Sequence, residues 1–469
     1  MVQVDLKIQN KKNPIIQSNL TYNEVVSYLD NNWKETTSLV AISQLDEHFG
    51  LISKKLDIAV VSGTNGKSTT IHFTCKLFQE EGLKVGAFYA PHVTLYNERF
   101  SINSDQISNK TFTQIANQVI QVVQDKKIAA NTKDILTMMA LIFFQENNVN
   151  LAILENTGTY SLDPVMYCNV KIAAVTRVVP NTNHDDTHAA ITNIMKMMTV
   201  NTHFISADQN KLNLQIMHQM IEGKGSNWLM PIRKLAPLQY PFEQLHGRCA
   251  ALAERIAHVY IDNFLHKNEE AADPQSLLNK PKGLRGRPTL EAKKVSEMNP
   301  KRTLEQFWTQ ATTTLHARFQ LIQTKKSTIL LDNADNLDAL SNLFLGVRLL
   351  AYKQDFKEIS MIIACHEGQF EDEEFMKQAR YFFKKSSGSI AFCPTITTTI
   401  GEKTKPSWNV QKMTDAAKTV KIKAKAYKNF DEAFNGIKAA HDDRDCLIVI
   451  TGSQSIISEY EKYKETMVE

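Results

Sequence analysis

Apolar positions along the chain alternate between two spacings. Short continuous runs rich in branched side chains fall at 56–61, 84–89, 151–155, 170–175 and 203–206. Runs of this length, bounded by turn residues, read as buried strands. Between them the apolar positions recur at helical spacing, over 71–78 (Ile71, Phe73, Leu77, Phe78), 110–125, 133–147, 189–199, 208–222 and 246–260. Two more amphipathic stretches, 22–29 with Thr21 as its N-cap and 38–49, precede the first strand. This alternation predicts an α/β fold with a doubly wound, mostly parallel sheet as far as about residue 260.

Residues 264–303 break the pattern with proline, glycine and many charges, and read as a linker or insertion. They include Arg285-Gly286-Arg287-Pro288, a tetrapeptide also seen in arms that enter the DNA minor groove; a solvated linker accounts for it more simply. From about 304 the alternation resumes, with strands at 327–332, 359–365, 389–393 and 446–451 and helices at 337–352, 370–384 and after Gly452-Ser453. The expected organisation is therefore a first domain over 1–263, the segment 264–303, and a smaller Rossmann-like α/β domain over 304–469. No G-x-G-x-x-G occurs, so a dinucleotide site is not indicated.

The strand at 56–61 runs into S-G-T-N-G-K-S-T-T, residues 62–70, and then into a helix. Strand, glycine-rich turn and helix form the geometry that cradles phosphate. Backbone N–H groups point inward and the helix N-terminus adds partial positive charge. The common G-x-x-x-x-G-K-[ST] pattern fails, because Val61 stands where its first glycine belongs. The narrower G-T-N-G-K-S remains. Gly63, Thr64, Asn65, Gly66, Lys67, Ser68 and Thr69 are the candidate phosphate-binding residues. Lys67 would reach the β- and γ-phosphates, and the Ser68 hydroxyl would hold Mg²⁺. The first domain is thus expected to be a P-loop unit.

Composition adds bounds. The chain has 469 residues, enough for two or three domains with sizeable cores. A formal net charge of +4 does not demand nucleic acid or a membrane as partner. Six scattered cysteines with no C-x-x-C pair read as reduced thiols of a cytoplasmic protein. The first residues lack an apolar signal core, and the longest apolar run, 138–144, is too short to span a bilayer.

Several ligand-type side chains fall where strand ends should converge on the phosphate loop. Glu155 ends one strand, His184 follows another beside Asp185 and Asp186, and Lys196 lies on the next helix. Parallel α/β sheets place ligands at those carboxyl ends. Mg²⁺ prefers oxygen donors, so Glu155 and Ser68 make a credible pair. The stretch 90–103, A-P-H-V-T-L-Y-N-E-R-F-S-I-N, also begins at such an end.

Taken together these motifs resemble the folylpolyglutamate synthase and dihydrofolate synthase family within the Mur ligase superfamily. S-G-T-N-G-K-S-T-T is similar to the family's phosphate loop, and 90–103 to its S-P-H-L…E-R-I-x-I-x-G segment. Residues 134–155 are similar to its F-E-x-x-T-x-x-A-F…E stretch. In the second half A-R-F-Q (317–320), L-D-N-A-D-N (331–336) and T-G-S-Q (451–454) resemble G-R-F-E, L-D-G-A-H-N and the late G-S turn. The resemblance implies a Mur ligase-like central domain and ATP with Mg²⁺. Lys67, His184 and Lys196 would be catalytic, with Lys196 matching a lysine that becomes carbamylated. Ser68, Glu155 and His184 would bind the metal. Arg318, Asp332 and Asn336 would close over ATP, and His92 and Arg99 would border the pterin-side substrate. The implied activity is ADP-forming ligation of an amino acid, glutamate, to a folate-like carboxylate by a monomer, with no nucleic acid or membrane partner.

The chain departs from the family at E-N-T-G-T-Y-S-L-D (155–163), where E-x-G-L-G-G-R-L-D is expected. Asn183 replaces the aspartate before His184, Asp335 replaces the histidine of A-H-N, and Cys249 stands near an expected asparagine. The acceptor contacts and domain closure are where these changes fall. Two alternatives therefore stand beside the folate reading: a Mur-type ligase acting on another carboxylate, and a non-catalytic nucleotide-binding relative.

Overall fold

The computed structural model describes residues 19–159, 161–180, 187–265, 277–278, 303–311, 315–324, 327–395, 405–440 and 446–466. His184, Asn183 and Arg285–Pro288, with nearly all of 264–303, lie outside the described residues.

Eight strands form the first sheet: β1 (Ile58–Ser62), β2 (Val85–Phe88), β3 (Phe100–Ile102), β4 (Asp105–Gln106), β5 (Leu151–Glu155), β6 (Val170–Val175), β7 (His203–Ala207) and β8 (Asn227–Ile232). Their order is β4-β3-β2-β5-β1-β6-β7-β8. All pairings are parallel except those of β3 with β2 and β4. Every residue of β1 and β5 is buried, as expected of central strands covered on both faces. Apolar cores lie on the two faces, one built on Ile58, Val60, Leu154 and the helix Thr132–Glu146, the other on Ala59, Val61, Phe73, Phe78 and the helix Phe242–Tyr260.

The second sheet contains β9 (Gln320–Gln323), β10 (Thr328–Asp332), β11 (Glu358–Ala364), β12 (Gly388–Phe392), β13 (Ala424–Ala426) and β14 (Cys446–Gly452), in the order β13-β12-β11-β14-β10-β9. Only β9 runs antiparallel. The α/β class and the doubly wound, mostly parallel arrangement read from the sequence are observed in both sheets.

The helix Leu304–Gln310 packs away from the second sheet. Phe307 and Trp308 are buried in the core of the first, where Trp308 meets Phe73 edge-on with ring centroids 5.6 Å apart. Its indole N–H donates to Glu254 at 3.1 Å. The chain therefore crosses to the second sheet after this helix. Several contacts then join the sheets. Phe242 packs on Phe319, and Val93, from the loop after β2, sits in a core of the second sheet. The helix Gln454–Thr466 grips the same loop, Gln454 donating to the His92 carbonyl and Ser458 to the Val93 carbonyl.

Candidate functional site

Strand register assembles the phosphate loop. In the parallel ladder Val61 pairs with Glu155, and Ser62 with Val175, so the ends of β5 and β6 flank the turn that leaves β1. Gly63 and Gly66 both have positive φ, +123° and +89°, which glycine adopts without steric cost. A Cβ on Gly63 would run into Thr176, and one on Gly66 would stand 2.8 Å from the Cys249 sulfur. The turn is therefore closely backed by β6's end on one side and by the helix Phe242–Tyr260 on the other. The helix Lys67–Glu80 begins at the turn's end.

The loop's side chains converge. Lys67 Nζ donates to the carbonyls of Gly63 and Thr64, both at 3.1 Å, and lies 4.0 Å from Glu155. Ser68 Oγ donates to Glu155 at 2.9 Å. Glu155 is 2% exposed. Burial pushes its carboxyl above the ordinary range, and Lys67, Arg318 and Ser68 pull it back. Among the described residues no group of three or more His, Cys, Asp or Glu side chains could hold a metal. A hydroxyl beside a buried carboxylate still suits Mg²⁺, which takes few protein ligands and completes its shell with water and phosphate oxygens.

A cleft of about 520 Å³ opens over this loop, between the two sheets. Thr64–Thr70, Glu155, Arg177 and Cys249 line it on one side, and Arg318, Asp332, Asp335 and Asp338 on the other. Arg318 stands between two residues of left-handed backbone, Ala317 (φ 56°) and Phe319 (φ 47°). That kink is held by Asp332, which accepts from the Phe319 N–H at 2.7 Å. Burial raises Asp332 to about 6, against the pull of Arg318. Asn336 caps the helix Leu337–Lys353 and pairs with Asn65 of the loop.

Beside the cleft, the Arg99 Nε donates to His92 Nδ1 at 2.8 Å. Burial and Arg99 hold His92 well below the usual imidazole range, and burial lowers Arg99 to about 10. Arg99 is 4% exposed and rests over the rings of Trp33 and Tyr96, 6.0 and 5.8 Å from their centroids. Among the described residues it has no carboxylate within ion-pair distance.

Gly63, Thr64, Asn65, Gly66, Lys67, Ser68, Thr69, Glu155, Arg318, Asp332 and Asn336 are thus brought together, with His92 and Arg99 alongside. His184 lies outside the described residues. Lys196 is exposed and is not among the residues lining the cleft. The helix expected over 189–199 ends at Ile194 and tightens into a 3₁₀ turn, Met195–Met197. That changes the angle between successive side chains. Met195, Met197 and Met198 take the buried positions, and Lys196 faces outward. Asn193 of this helix is buried and donates to the carbonyls of Gly158 and Ser161. Arg177 and Asp338 were not singled out from the sequence. Each lies just past the end of a strand or at the start of a helix facing the loop, a position visible only once the two halves are assembled.

This arrangement defines a P-loop α/β protein carrying a second Rossmann-like unit, with the Mur ligase type of fold. It resembles the folylpolyglutamate and dihydrofolate synthases in particular. No family model matches the chain. The dihydrofolate synthase/folylpolyglutamate synthase of Bacillus subtilis is 33% identical over 119 residues, which cover 24% of this chain and 28% of that protein. The mitochondrial folylpolyglutamate synthase of Bos taurus is 31% identical over 149 residues, 30% of this chain and 25% of the relative. The matched stretch thus spans about a quarter of the length of these two curated relatives. In structure, a Mycobacterium tuberculosis folylpolyglutamate synthase complexed with ADP and AMPPCP superposes with a TM-score of 0.70 at 16% identity, covering 94% of this chain and 98% of that one. A bifunctional folylpolyglutamate synthase/dihydrofolate synthase with Mn, AMPPNP and L-glutamate bound gives 0.70, again at 16% identity, over 96% and 99%.

Proposed function

We propose that the chain is an ATP-dependent, ADP-forming ligase that joins an amino acid, glutamate, to a folate-like carboxylic acid. The observation that supports it most is the Ser68–Glu155–Lys67 cluster beneath a glycine turn, facing Arg318 and Asp332 across one cleft. In this reading 1–263 forms the ATP-binding domain and 304–469 the closing domain, and the protein works in the cytoplasm. No disulfide joins the cysteines among the described residues, and no described helix is long and apolar enough to cross a membrane.

The chemical problem is that a carboxylate is a poor electrophile. Transfer of the γ-phosphoryl group to it gives an acyl phosphate with a good leaving group, and the amine then displaces phosphate. The chain's work is positioning and charge compensation. The loop amides and Lys67 hold the phosphates. Ser68 and Glu155, with His184, would hold Mg²⁺, which supplies charge neutralisation when bound. Arg318 brings a second cation from the opposite wall, oriented by the Asp332-held kink. Arg99, buried and with no carboxylate in ion-pair distance among the described residues, supplies positive charge near the acid to be activated, and the neutral His92 fixes its direction. Docking of the second unit through Val93 and Gln454 shields the intermediate from water.

The test is incubation with ATP, Mg²⁺, glutamate and a panel of folates and pteroates, scored for ADP release and for mass gain of one glutamyl group. Product that disappears in Lys67→Ala supports the reading. ATP turnover with other acids only would favour a Mur-type ligase for a different acceptor, a reading that the altered 155–163 stretch and Asp335 support. Nucleotide binding without turnover on any acid would contradict both.

A further inference from the structure

The second unit touches the phosphate loop itself. Asn65 Nδ2 donates to Asn336 Oδ1 at 3.1 Å and to Asp338 Oδ2 at 2.9 Å, and Asn336 returns a bond to Asn65 Oδ1 at 2.8 Å. The other Asp338 oxygen lies 3.1 Å from Arg177. Arg177 also fixes the loop through its backbone, its carbonyl accepting from the Thr64 N–H at 2.9 Å. One carboxylate on the helix Leu337–Lys353 thus holds both side chains that bracket the turn, across the cleft. Asn336 is already committed as that helix's cap, through the Ala339 N–H. Asp338 therefore brings negative charge from that helix to the junction, with Asp335 beside it, accepting from Asn336 Nδ2 at 2.8 Å.

Its sign is informative. The cleft is to take a polyphosphate, yet Asp335 and Asp338 line it beside the loop. Two carboxylates there repel a polyanion unless a cation is held against them. Arg177 is the cation placed against Asp338.

We propose that Asp338 and Arg177 form a positioning pair that carries docking of the second unit to the phosphate loop. Asp338 acts through Asn65 and Arg177, and Arg177 keeps the Asp338 charge from opposing the nucleotide. The inference rests on the ATP-binding reading above, but not on the identity of the acceptor.

The pair is tested by fluorescence titration with an N-methylanthraniloyl-ATP analogue plus Mg²⁺, which needs no turnover. The proteins compared are the full chain, Arg177→Ala, Asp338→Asn and the double variant. Asp338→Asn keeps the shape and an acceptor for Asn65 while removing the charge. The expected results are a loss of about tenfold or more in affinity for Arg177→Ala, a change within about threefold for Asp338→Asn, and recovery to within about threefold in the double variant. A purely structural role would make the double variant the weakest. Arg177→Ala within about twofold of the parent, or a double variant no tighter than Arg177→Ala, overturns the pair. In the ligase assay Asp338→Ala should lower kcat more than it raises KM for ATP, and Asp338→Asn should restore part of kcat. Absence of turnover in the parent chain counts against the ligase reading and leaves the titration to decide the pair.

Discussion

Replacing Gly66 by alanine probes the phosphate loop with the least chemistry. Two costs are readable from the structure. At φ +89° an L-residue loses roughly 1–2 kcal/mol relative to a right-handed conformation. The added methyl would also stand 2.8 Å from the Cys249 sulfur, and a misfit of this kind in a packed interior costs about 1–3 kcal/mol. The total is roughly 2–5 kcal/mol. Since 1.4 kcal/mol is about tenfold in an equilibrium, Gly66→Ala should weaken nucleotide binding by well over tenfold if the loop yields, or lower the thermal midpoint if it does not. Cys249→Ala removes the clash and leaves the backbone term. The double variant should therefore regain about 1 kcal/mol or more over the sum of the single effects. Cys249→Ala on its own loses a packed sulfur, an effect measured directly in the single variant. Titration with the fluorescent nucleotide and a melting curve on all four proteins complete the cycle. Strict additivity, or a Gly66→Ala protein that binds and melts like the parent, would refute the close backing of the turn.

Two further predictions follow from burial. Asp134 is 1% exposed, one of its oxygens caps the Asn131 N–H, and the other has no partner among the described residues. Burial raises it from 3.8 to about 6. A carboxyl raised on folding favours the folded state fully below pH 3.8, and that contribution is lost as pH rises through 6. At about 1.36 kcal/mol per pKa unit the loss is about 3 kcal/mol. Urea midpoints should fall between pH 4 and pH 7 in the parent, and Asp134→Asn should flatten that slope; equal slopes would show that Asp134 is not the group responsible. Lys196→Ala should leave ADP release within about twofold of the parent, because the side chain is exposed and outside the cleft. A drop to background would return Lys196 to the machinery.

Much of the fold was legible because strands buried on both faces leave continuous apolar runs. β1, β5 and β6 stand where those runs predicted them, and the Glu155 carboxylate ends its strand beside the loop as the parallel register requires. Elements at the edges were harder. β13 is three residues long and leaves no distinct apolar run, and β8 is half-buried with Pro231 inside it, a residue that argues against a strand. The change from α-helix to 3₁₀ turn after Ile194, which leaves Lys196 exposed, leaves no mark in hydrophobic spacing. The partnership of Asn65 with Asn336 and Asp338 links residues about 270 apart in sequence. Such pairs are set by how two sheets dock, which no local pattern records. Trp308 illustrates the same point, since its helix lies in sequence with the second half and in space with the first.

The central claim is that a nucleotide sits at the turn 63–69 with its metal between Ser68 and Glu155. Crystals grown with AMPPNP and Mn²⁺ test it directly through the manganese anomalous signal. The account predicts a single strong peak within coordination distance of Ser68 Oγ and a Glu155 oxygen, with the phosphates over Gly63–Lys67. A peak elsewhere in the cleft, with the Ser68–Glu155 hydrogen bond intact beneath an ordered nucleotide, would contradict it.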